Sequence, residues 1–174
     1  MMLRILVGLV VAVAVGAGGF FGWASRHGEI PQLNAAPDPK GFDAKLIERG
    51  QSLAAMGYCA VCHTRADGRA LAGGLGLPTP FGTIYSTNIT PDPETGIGRW
   101  SEAAFRRAMH EGIGRDGRHL YPAFPYDHFT RVSDDDIAAI YAYLMTRKPV
   151  RNAAPANDLR FPFGIRQPVS YTHL

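Results

Sequence analysis

The sequence predicts an all-α fold for its main domain, on three observations. Three segments, which begin near residues 42, 101 and 133, carry apolar side chains at the spacing of an amphipathic helix. The stretches between them are rich in glycine and proline and are therefore predicted to be irregular loops. A single Cys-x-x-Cys-His motif follows the first segment, and it holds the only two cysteines of the 174-residue chain. We expect the helices and loops to enclose whatever this motif binds.

The first predicted helix runs from Phe42 to Ala54 and leads the chain to the motif. Its apolar residues recur on one face, with charged residues between them: Phe42, Leu46, Ile47, Leu53 and Ala54. After the motif, the range from Gly68 to Thr83 contains five glycines and two prolines. This composition predicts a loop that lies closely against another group, rather than a packed element.

Capping signals bound the second and third predicted helices. Ser101 is a predicted N-cap and Gly112 closes the same helix, whose buried face is predicted to carry Ala104, Phe105 and Ala108. Ser133, with Asp136 three residues later, resembles a capping box at the start of the third helix. Pro149 ends that helix, and its apolar face carries Ile137, Ile140, Tyr141 and Leu144.

The motif Cys59-Ala60-Val61-Cys62-His63 is the attachment signature of a c-type haem. Each thiol can add to one vinyl group of the porphyrin, and the two intervening residues on a helical turn place both sulfurs on one side of the backbone. His63 then directs its imidazole at the iron from the proximal side. The sequence therefore predicts one covalently bound haem c, with Cys59, Cys62 and His63 as its cofactor-binding residues, in an α-class cytochrome domain.

Other chemistries also use a Cys-x-x-Cys pair. A redox dithiol normally follows a strand in a βαβ pattern, whereas this motif follows a predicted helix. Structural zinc usually takes a second Cys pair or a closely spaced His pair, and His110, His119 and His128 lie nine residues apart. A disulfide between the two cysteines would leave His63 unexplained. Haem is favoured, and a zinc-stabilised interaction domain remains an alternative that any covalent haem would exclude.

The N-terminus predicts a membrane segment. From Ile5 to Ala24 run twenty uncharged residues, long enough to cross a bilayer as a helix and longer than a typical signal-peptide core. We therefore expect residues 1–25 to be an uncleaved anchor, although Gly22-Trp23-Ala24 also offers small residues for signal cleavage. Either outcome exports the domain, to the periplasmic side of a bacterial cytoplasmic membrane. Residues 26–41, with three prolines, are predicted to be an extended linker.

The charge pattern argues against nucleic acid as a partner. The formal net charge is only +3 at pH 7, and acidic and basic residues are interspersed through the domain. Arg106-Arg107 and Arg147-Lys148 are short basic clusters near predicted helix ends, where the helix dipole alone favours cations. No basic stripe of the kind that binds a phosphate backbone is present in the sequence.

Three further stretches extend the argument beyond the motif, namely Leu71–Gly74, Thr79–Asp92 and Leu120–Tyr126. Over residues 42–166 the chain resembles the cytochrome c subunits of bacterial membrane-bound dehydrogenases, which serve quinoprotein alcohol dehydrogenases and periplasmic molybdenum hydroxylases. The resemblance implies a class I cytochrome c-like fold, and an electron carrier rather than an enzyme. It also implies a quinoprotein or molybdenum hydroxylase catalytic subunit as electron donor, with quinone or a terminal oxidase as acceptor.

Full members of that family carry three consecutive haem domains, whereas this chain has one haem motif. Phe161–Arg166 is similar to the segment that leads into a second domain, and residues 170–174 leave the family pattern. We therefore divide the chain into an anchor at 1–25, a linker at 26–41, a cytochrome c domain at 42–150 and a tail at 151–174. The resemblance implies that this chain is the first third of a longer protein and that its tail at 151–174 leads into a further domain.

The sequence leaves the second axial ligand of the iron open. Many family members resemble Tyr-Pro-Ala-Met-Pro-Tyr before the last helix, and their Met ligates the iron, but here the position is Phe124. His119, in the same loop, and Met109, on the second predicted helix, are the candidate distal ligands, while His110 and His128 are less well placed. Met raises the reduction potential relative to His. An iron with no sixth ligand would instead favour a haem-based sensor or small-ligand-binding module.

Overall fold

The computed structural model describes residues 2–24, 27–65, 67–121 and 123–160. Within these ranges the α-helices are α1 (Met2–Ala24), α2 (Ala44–Met56), α3 (Cys59–His63), α4 (Glu102–Glu111) and α5 (Asp134–Met145). Three short strands form an antiparallel sheet in the order β1-β2-β3, with bounds Gly76–Thr79, Gly82–Tyr85 and Asp158–Leu159. Short 3-10 turns lie at Pro39–Gly41 and Tyr126–His128.

Helices α2 and α5 pack directly against each other, and a glycine allows their close approach. A Cβ atom at Gly50 would overlap the carbonyl group of Ala139 and press on the Cβ of Tyr143 at 2.9 Å. At the same pair of helices, Nε of Arg49 donates a hydrogen bond to Oδ1 of Asp136 at 2.6 Å. The first and last helices of the domain are therefore in backbone contact, although more than eighty residues separate Arg49 from Asp136.

Helix α2 begins later than the predicted start at Phe42, because Asp43 caps it. The carboxylate of Asp43 accepts hydrogen bonds from the amides of Lys45 and Leu46, at 2.9 and 3.2 Å. Phe42 lies just before the cap and packs its ring edge-on against Tyr141, with 6.2 Å between the ring centroids. The predicted apolar residue is thus part of the packing, although it is not part of the helix.

The capping residues predicted for α4 and α5 are observed. Oγ of Ser101 accepts from the amide of Ala104 at 3.2 Å, and Gly112 ends α4 in the left-handed conformation with φ of 64°. Oγ of Ser133 accepts from the amide of Asp136 at 3.2 Å and donates to its carboxylate at 2.9 Å. The predicted apolar faces of both helices are buried in one core, together with Met109 and Met145.

The small sheet corrects the all-α expectation. The range from Gly68 to Thr83, predicted to be a loop, contains β1 and the first two residues of β2. These strands pair from Gly76–Tyr85 to Thr79–Gly82. Pro78 is compatible with a strand here because β1 lies at the edge of the sheet, where one missing amide donor is tolerated. Strands of four residues with glycine and proline show too little alternation to be recognised. The fold is mainly helical, with a minor β component.

Helix α1 is exposed and apolar. Its segment Arg4–Trp23 is long and apolar enough to cross a membrane, and no part of it is buried against the rest of the chain. A signal sequence near an N-terminus can also meet this criterion of length and apolar composition, so the membrane anchor remains a prediction.

Part of the predicted linker is docked on the domain. The amide of Ile30 donates to the carbonyl of Arg115 at 2.9 Å, and Nη1 of Arg115 donates to the carboxylate of Glu29 at 2.6 Å. Nη1 of Arg107, on α4, donates to the carbonyl of Gly28 at 2.7 Å. Residues 27–33, which we call the docked segment, therefore follow the surface of the domain instead of extending freely from it.

Replacing Arg107 by alanine is expected to release the docked segment. Arg107 joins this segment to the loop after α4, since its Nη2 donates to the carbonyl of Gly114 at 2.6 Å while Nη1 holds Gly28. Hydrogen exchange of the peptide that covers residues 27–33, measured in the full chain, should be slow in the unsubstituted protein and fast in the variant. Arg118→Ala is the matched control, because Arg118 bonds Asp116 within its own loop. Equal exchange in the Arg107 variant and the unsubstituted protein would contradict this role.

The described part of the predicted tail also contacts the domain. Oδ1 of Asn157 accepts from the amide of Tyr85 at 2.8 Å, and β3 pairs with β2. Residues 151–160 therefore pack against the strands and loops that follow the motif. The predicted lead into a second domain at Phe161–Arg166, and the residues after it, lie outside the described residues. The domain boundaries drawn from the sequence remain predictions.

Candidate functional site

Helix α3 carries the three motif side chains on little more than one turn. It spans Cys59–His63, and Tyr58, in the left-handed conformation with φ of 54°, turns the chain between α2 and α3. Cys59 and Cys62 are both free thiols and both half-buried. Side chains three positions apart in a helix lie on the same face, so the two sulfurs share one side of α3.

One short hydrogen bond orients the imidazole of His63. Its Nδ1 lies 2.6 Å from the carbonyl oxygen of Thr87. Because a carbonyl oxygen only accepts, Nδ1 carries the proton and donates it, and Nε2 keeps its lone pair. An imidazole whose second ring nitrogen is held by a carbonyl group is the usual arrangement of a metal-binding histidine.

Gly73 is hydrogen-bonded to the backbone of His63. Its amide donates to the carbonyl of His63 at 2.7 Å. Its φ is +66°, and a Cβ atom would overlap the peptide group between Thr87 and Asn88, so no other residue fits without strain. The glycine-rich loop that follows the motif therefore contacts the backbone of His63 and also the Thr87–Asn88 peptide group, whose carbonyl orients the imidazole.

Burial shifts the protonation of two motif side chains. Burial lowers the pKa of His63 below its usual value, against the opposing effect of the bond to Thr87, so the imidazole is neutral at pH 7. Burial also raises the pKa of the Cys59 thiol, although a main-chain hydrogen bond opposes it, so the thiol stays protonated. A neutral imidazole with a free lone pair beside two thiols is a donor set that fits haem c.

The apolar core extends to the motif. Cys59 packs against the core cluster, as do Trp100, Phe124 and Phe129. The rings of Phe124 and Phe129 are stacked, with 5.7 Å between centroids and 12° between planes. Phe124, which occupies the place of the family's Met ligand, is therefore a packing residue in an aromatic pair.

The two candidate distal ligands lie in different surroundings. Met109 is buried in the core cluster that Cys59 also contacts. His119 lies edge-on against His27 of the docked segment, with 5.0 Å between ring centroids. Burial, and then the neighbouring His27, lower the pKa of His119, and its Nε2 is buried without a hydrogen bond in the described part of the chain. Met109 thus shares the core with Cys59, and His119 has a ring nitrogen without a hydrogen bond in the described part of the chain.

The other two histidines considered for the iron are placed elsewhere. Nε2 of His110 lies 3.0 Å from the carbonyl oxygen of Val132. This contact joins α4 to the residues just before α5. The side chain of His128 is 76% exposed, next to Asp127. His110 therefore has a structural contact, and His128 is a surface residue.

Two residues of the site were not found from the sequence. Thr87 contributes its carbonyl oxygen, and a main-chain acceptor carries no signal in the residue type. Gly73 had a signal, since it belongs to the adjacent pair Gly73-Gly74, and both of these glycines have positive φ. Paired glycines soon after a haem motif therefore indicate a close approach of backbone to backbone.

Comparisons with known proteins place this site in context. The family model for cytochrome c matches residues 47–148, which include the motif and the helices α4 and α5. The chain is 65% identical over 130 residues to a nicotinate dehydrogenase subunit of Pseudomonas putida, a match covering 75% of this chain and 11% of that protein.

Several other relatives carry the word cytochrome in their names, among them two from Gluconobacter. The cytochrome c subunit of the quinone-dependent alcohol dehydrogenase of Gluconobacter oxydans is 48% identical over 151 residues, covering 85% of this chain and 32% of that subunit. The fructose dehydrogenase cytochrome subunit of Gluconobacter japonicus is 47% identical over 132 residues, covering 75% and 27%. The chain thus spans between a tenth and a third of the length of these relatives. Because the family model covers more than half of the sequence and includes the motif on α3, this chain belongs to the cytochrome c family.

Proposed function

We propose that Cys59 and Cys62 hold one haem c covalently and that His63 is its proximal iron ligand. The observation that carries the proposal is the bond from Nδ1 of His63 to Thr87, on the helix that also carries both thiols. This bond leaves Nε2 as the nitrogen that donates to the iron. When bound, haem c supplies one-electron exchange.

The two thiols attach the group by addition. Each thiol would hold one vinyl group of the porphyrin as a thioether, since addition of Sγ–H across the vinyl double bond would form a sulfur–carbon bond and place the thiol proton on the other vinyl carbon. The step consumes no oxidant or reductant. The raised pKa of Cys59 keeps its sulfur protonated near neutral pH, and the short α3 helix presents both sulfurs together.

We further propose that the chain relays single electrons from the catalytic subunit of a membrane dehydrogenase to quinone or a terminal oxidase. The relatives support this role, since two are named as cytochrome subunits of alcohol and fructose dehydrogenases and one as a subunit of nicotinate dehydrogenase. As the sequence resemblance implies, the catalytic partner is a quinoprotein or a molybdenum hydroxylase. The relatives are named as dehydrogenase subunits, and nothing among them favours a sensor.

The proposed location is the periplasmic face of a bacterial cytoplasmic membrane, with α1 as the anchor. Three residues, and therefore four Cα–Cα steps, connect Trp23, at the end of the apolar segment, to His27, at the start of the docked segment. Such a connection spans at most roughly 14 Å. If α1 is retained, the domain therefore stays near the membrane surface instead of moving on a long tether.

Carbon monoxide tests the carrier role. The full chain, matured in a host that attaches c-type haem, is expected to show a low-spin spectrum when reduced, and carbon monoxide should leave it unchanged. Met109→Leu and His119→Ala test the two candidates, because loss of the distal ligand opens the iron to carbon monoxide. His128→Ala is the control at an exposed histidine. Ready binding of carbon monoxide by the unsubstituted protein would contradict the carrier role and favour the small-ligand-binding module.

A further inference from the structure

A cluster of buried polar side chains lies next to the peptide segments that hold His63. Its members are Ser86, Asn88, Thr90, Asp92 and Asn152. Burying a polar side chain is unfavourable unless its hydrogen bonds are made within the protein. Of the two asparagines in this cluster, Asn88 belongs to the segment that supplies the Thr87 carbonyl, and Asn152 bonds the segment that contains Gly73.

Asn88 directly follows Thr87, and its side-chain amide bonds on both of its ends. Its Oδ1 accepts from the amide and the hydroxyl of Thr90, at 2.9 and 2.8 Å. Its Nδ2 donates to the carbonyl of Val150 at 2.7 Å and to Oγ1 of Thr95 at 3.0 Å. Asn88 is 3% exposed, so these bonds replace water and fix the backbone next to Thr87.

Asn152 reaches the other segment. Its Nδ2 donates to the carbonyl oxygens of Ala72 and Gly73, at 2.8 and 3.3 Å. Its main-chain amide donates to Oγ1 of Thr95 at 2.9 Å, the same oxygen that accepts from Asn88. The two asparagines therefore act on one network, which includes the C-terminal segment at residues 150–152.

We propose that Asn88 and Asn152 are positioning residues for the iron. Asn88 holds the Thr87 carbonyl that orients the imidazole of His63, and Asn152 holds Gly73, whose amide bonds the backbone of His63. This inference rests on the proposed function, in which His63 is the proximal ligand.

The network acts on the iron through the electron density of the imidazole. A bond from Nδ1–H to a fixed carbonyl makes Nε2 a stronger donor. A stronger donor stabilises ferric over ferrous iron, so a firmly held Thr87 lowers the reduction potential. When the network is loosened, the Nδ1 bond lengthens, the imidazole plane becomes free to rotate, and the potential rises.

The experiment compares Asn152→Ala with Asn157→Ala in the haem-loaded chain. Asn157 lies in the same C-terminal segment as Asn152. Its Oδ1 accepts from the amide of Tyr85 on β2, and it makes no bond to Gly73 or Thr87 in the described part of the chain. The readouts are the midpoint potential and the hyperfine-shifted haem methyl resonances of the ferric protein in proton NMR, whose spread reports the orientation of the axial imidazole. Asn152→Ala is expected to raise the potential and change the spread, and Asn157→Ala to leave both as in the unsubstituted protein.

Asn152→Ser is the milder variant to be measured if Asn152→Ala does not fold, and a smaller shift in the same direction is expected. The same potential and methyl pattern in the Asn152 variant and the unsubstituted protein overturn the inference. A loss of thermal stability with an unchanged methyl pattern also overturns it, because it assigns Asn152 a purely structural role. Absence of covalent haem from the unsubstituted chain is a separate result, which overturns the proposed function itself.

Discussion

Replacing both Cys59 and Cys62 by alanine is expected to abolish the haem that remains on the chain after denaturation. On the proposed function, the half-buried thiols of α3 form the two covalent bonds, and the sequence contains no other cysteine. A single substitution leaves one thioether, so either single variant should still retain haem in a denaturing gel stained for haem. The double variant should show none, although His63 is unchanged.

Val61→Ala is the matched control for the cysteine variants. Val61 lies between the two cysteines on α3 and is 64% exposed, so its loss removes little packing. The Val61→Ala variant should retain as much haem as the unsubstituted chain. Haem that remains on the denatured double variant would show that a residue other than Cys59 or Cys62 attaches it.

Replacing Gly50 by alanine is expected to destabilise the domain by about 2 kcal/mol, in the range found for overpacked cores. Helix propensity alone gives the opposite sign, since alanine is favoured over glycine inside a helix by about 1 kcal/mol. The contact decides the result, because a Cβ atom at Gly50 would overlap the carbonyl group of Ala139 on α5. Backbone cannot move away as a flexible side chain can, so α2 and α5 must separate.

The free energy of unfolding, measured by denaturant titration with unchanged haem content, checks this prediction. Gly41→Ala is the control, because a Cβ atom at Gly41 meets nothing within 4 Å and this residue has no positive φ. The control should stay within about 0.5 kcal/mol of the unsubstituted protein. An unchanged or more stable Gly50→Ala variant would mean that α2 and α5 do not pack as closely as described.

The helices of the domain were largely predictable because their signals are local. Ser101, Gly112 and Ser133 cap their helices as expected, since a cap is decided by one side chain and amides up to three residues away. The apolar faces of α4 and α5 follow from periodicity for the same reason. The Cys-x-x-Cys-His motif is also local, because all its side chains come from α3.

The contacts made over long sequence distances were not predictable in this way. The hairpin of β1 and β2 is too short for its pattern to be read, and the docked segment is held by arginines more than sixty residues away. The partner of His63 is a backbone oxygen 24 residues later, which any residue type would supply. The buried asparagines proposed to support this contact have neutral amide side chains, which gave no chemical signal in the sequence.

Covalent attachment of haem to this chain can be measured by the absorption spectrum of the protein in alkaline pyridine after reduction, with the protein concentration measured in parallel. We expect one haem per chain that resists acid–acetone extraction, with the band position of a haem whose two vinyl groups are both saturated. A chain that yields its haem to acid–acetone, or a band that shows an intact vinyl group, would contradict attachment through both Cys59 and Cys62.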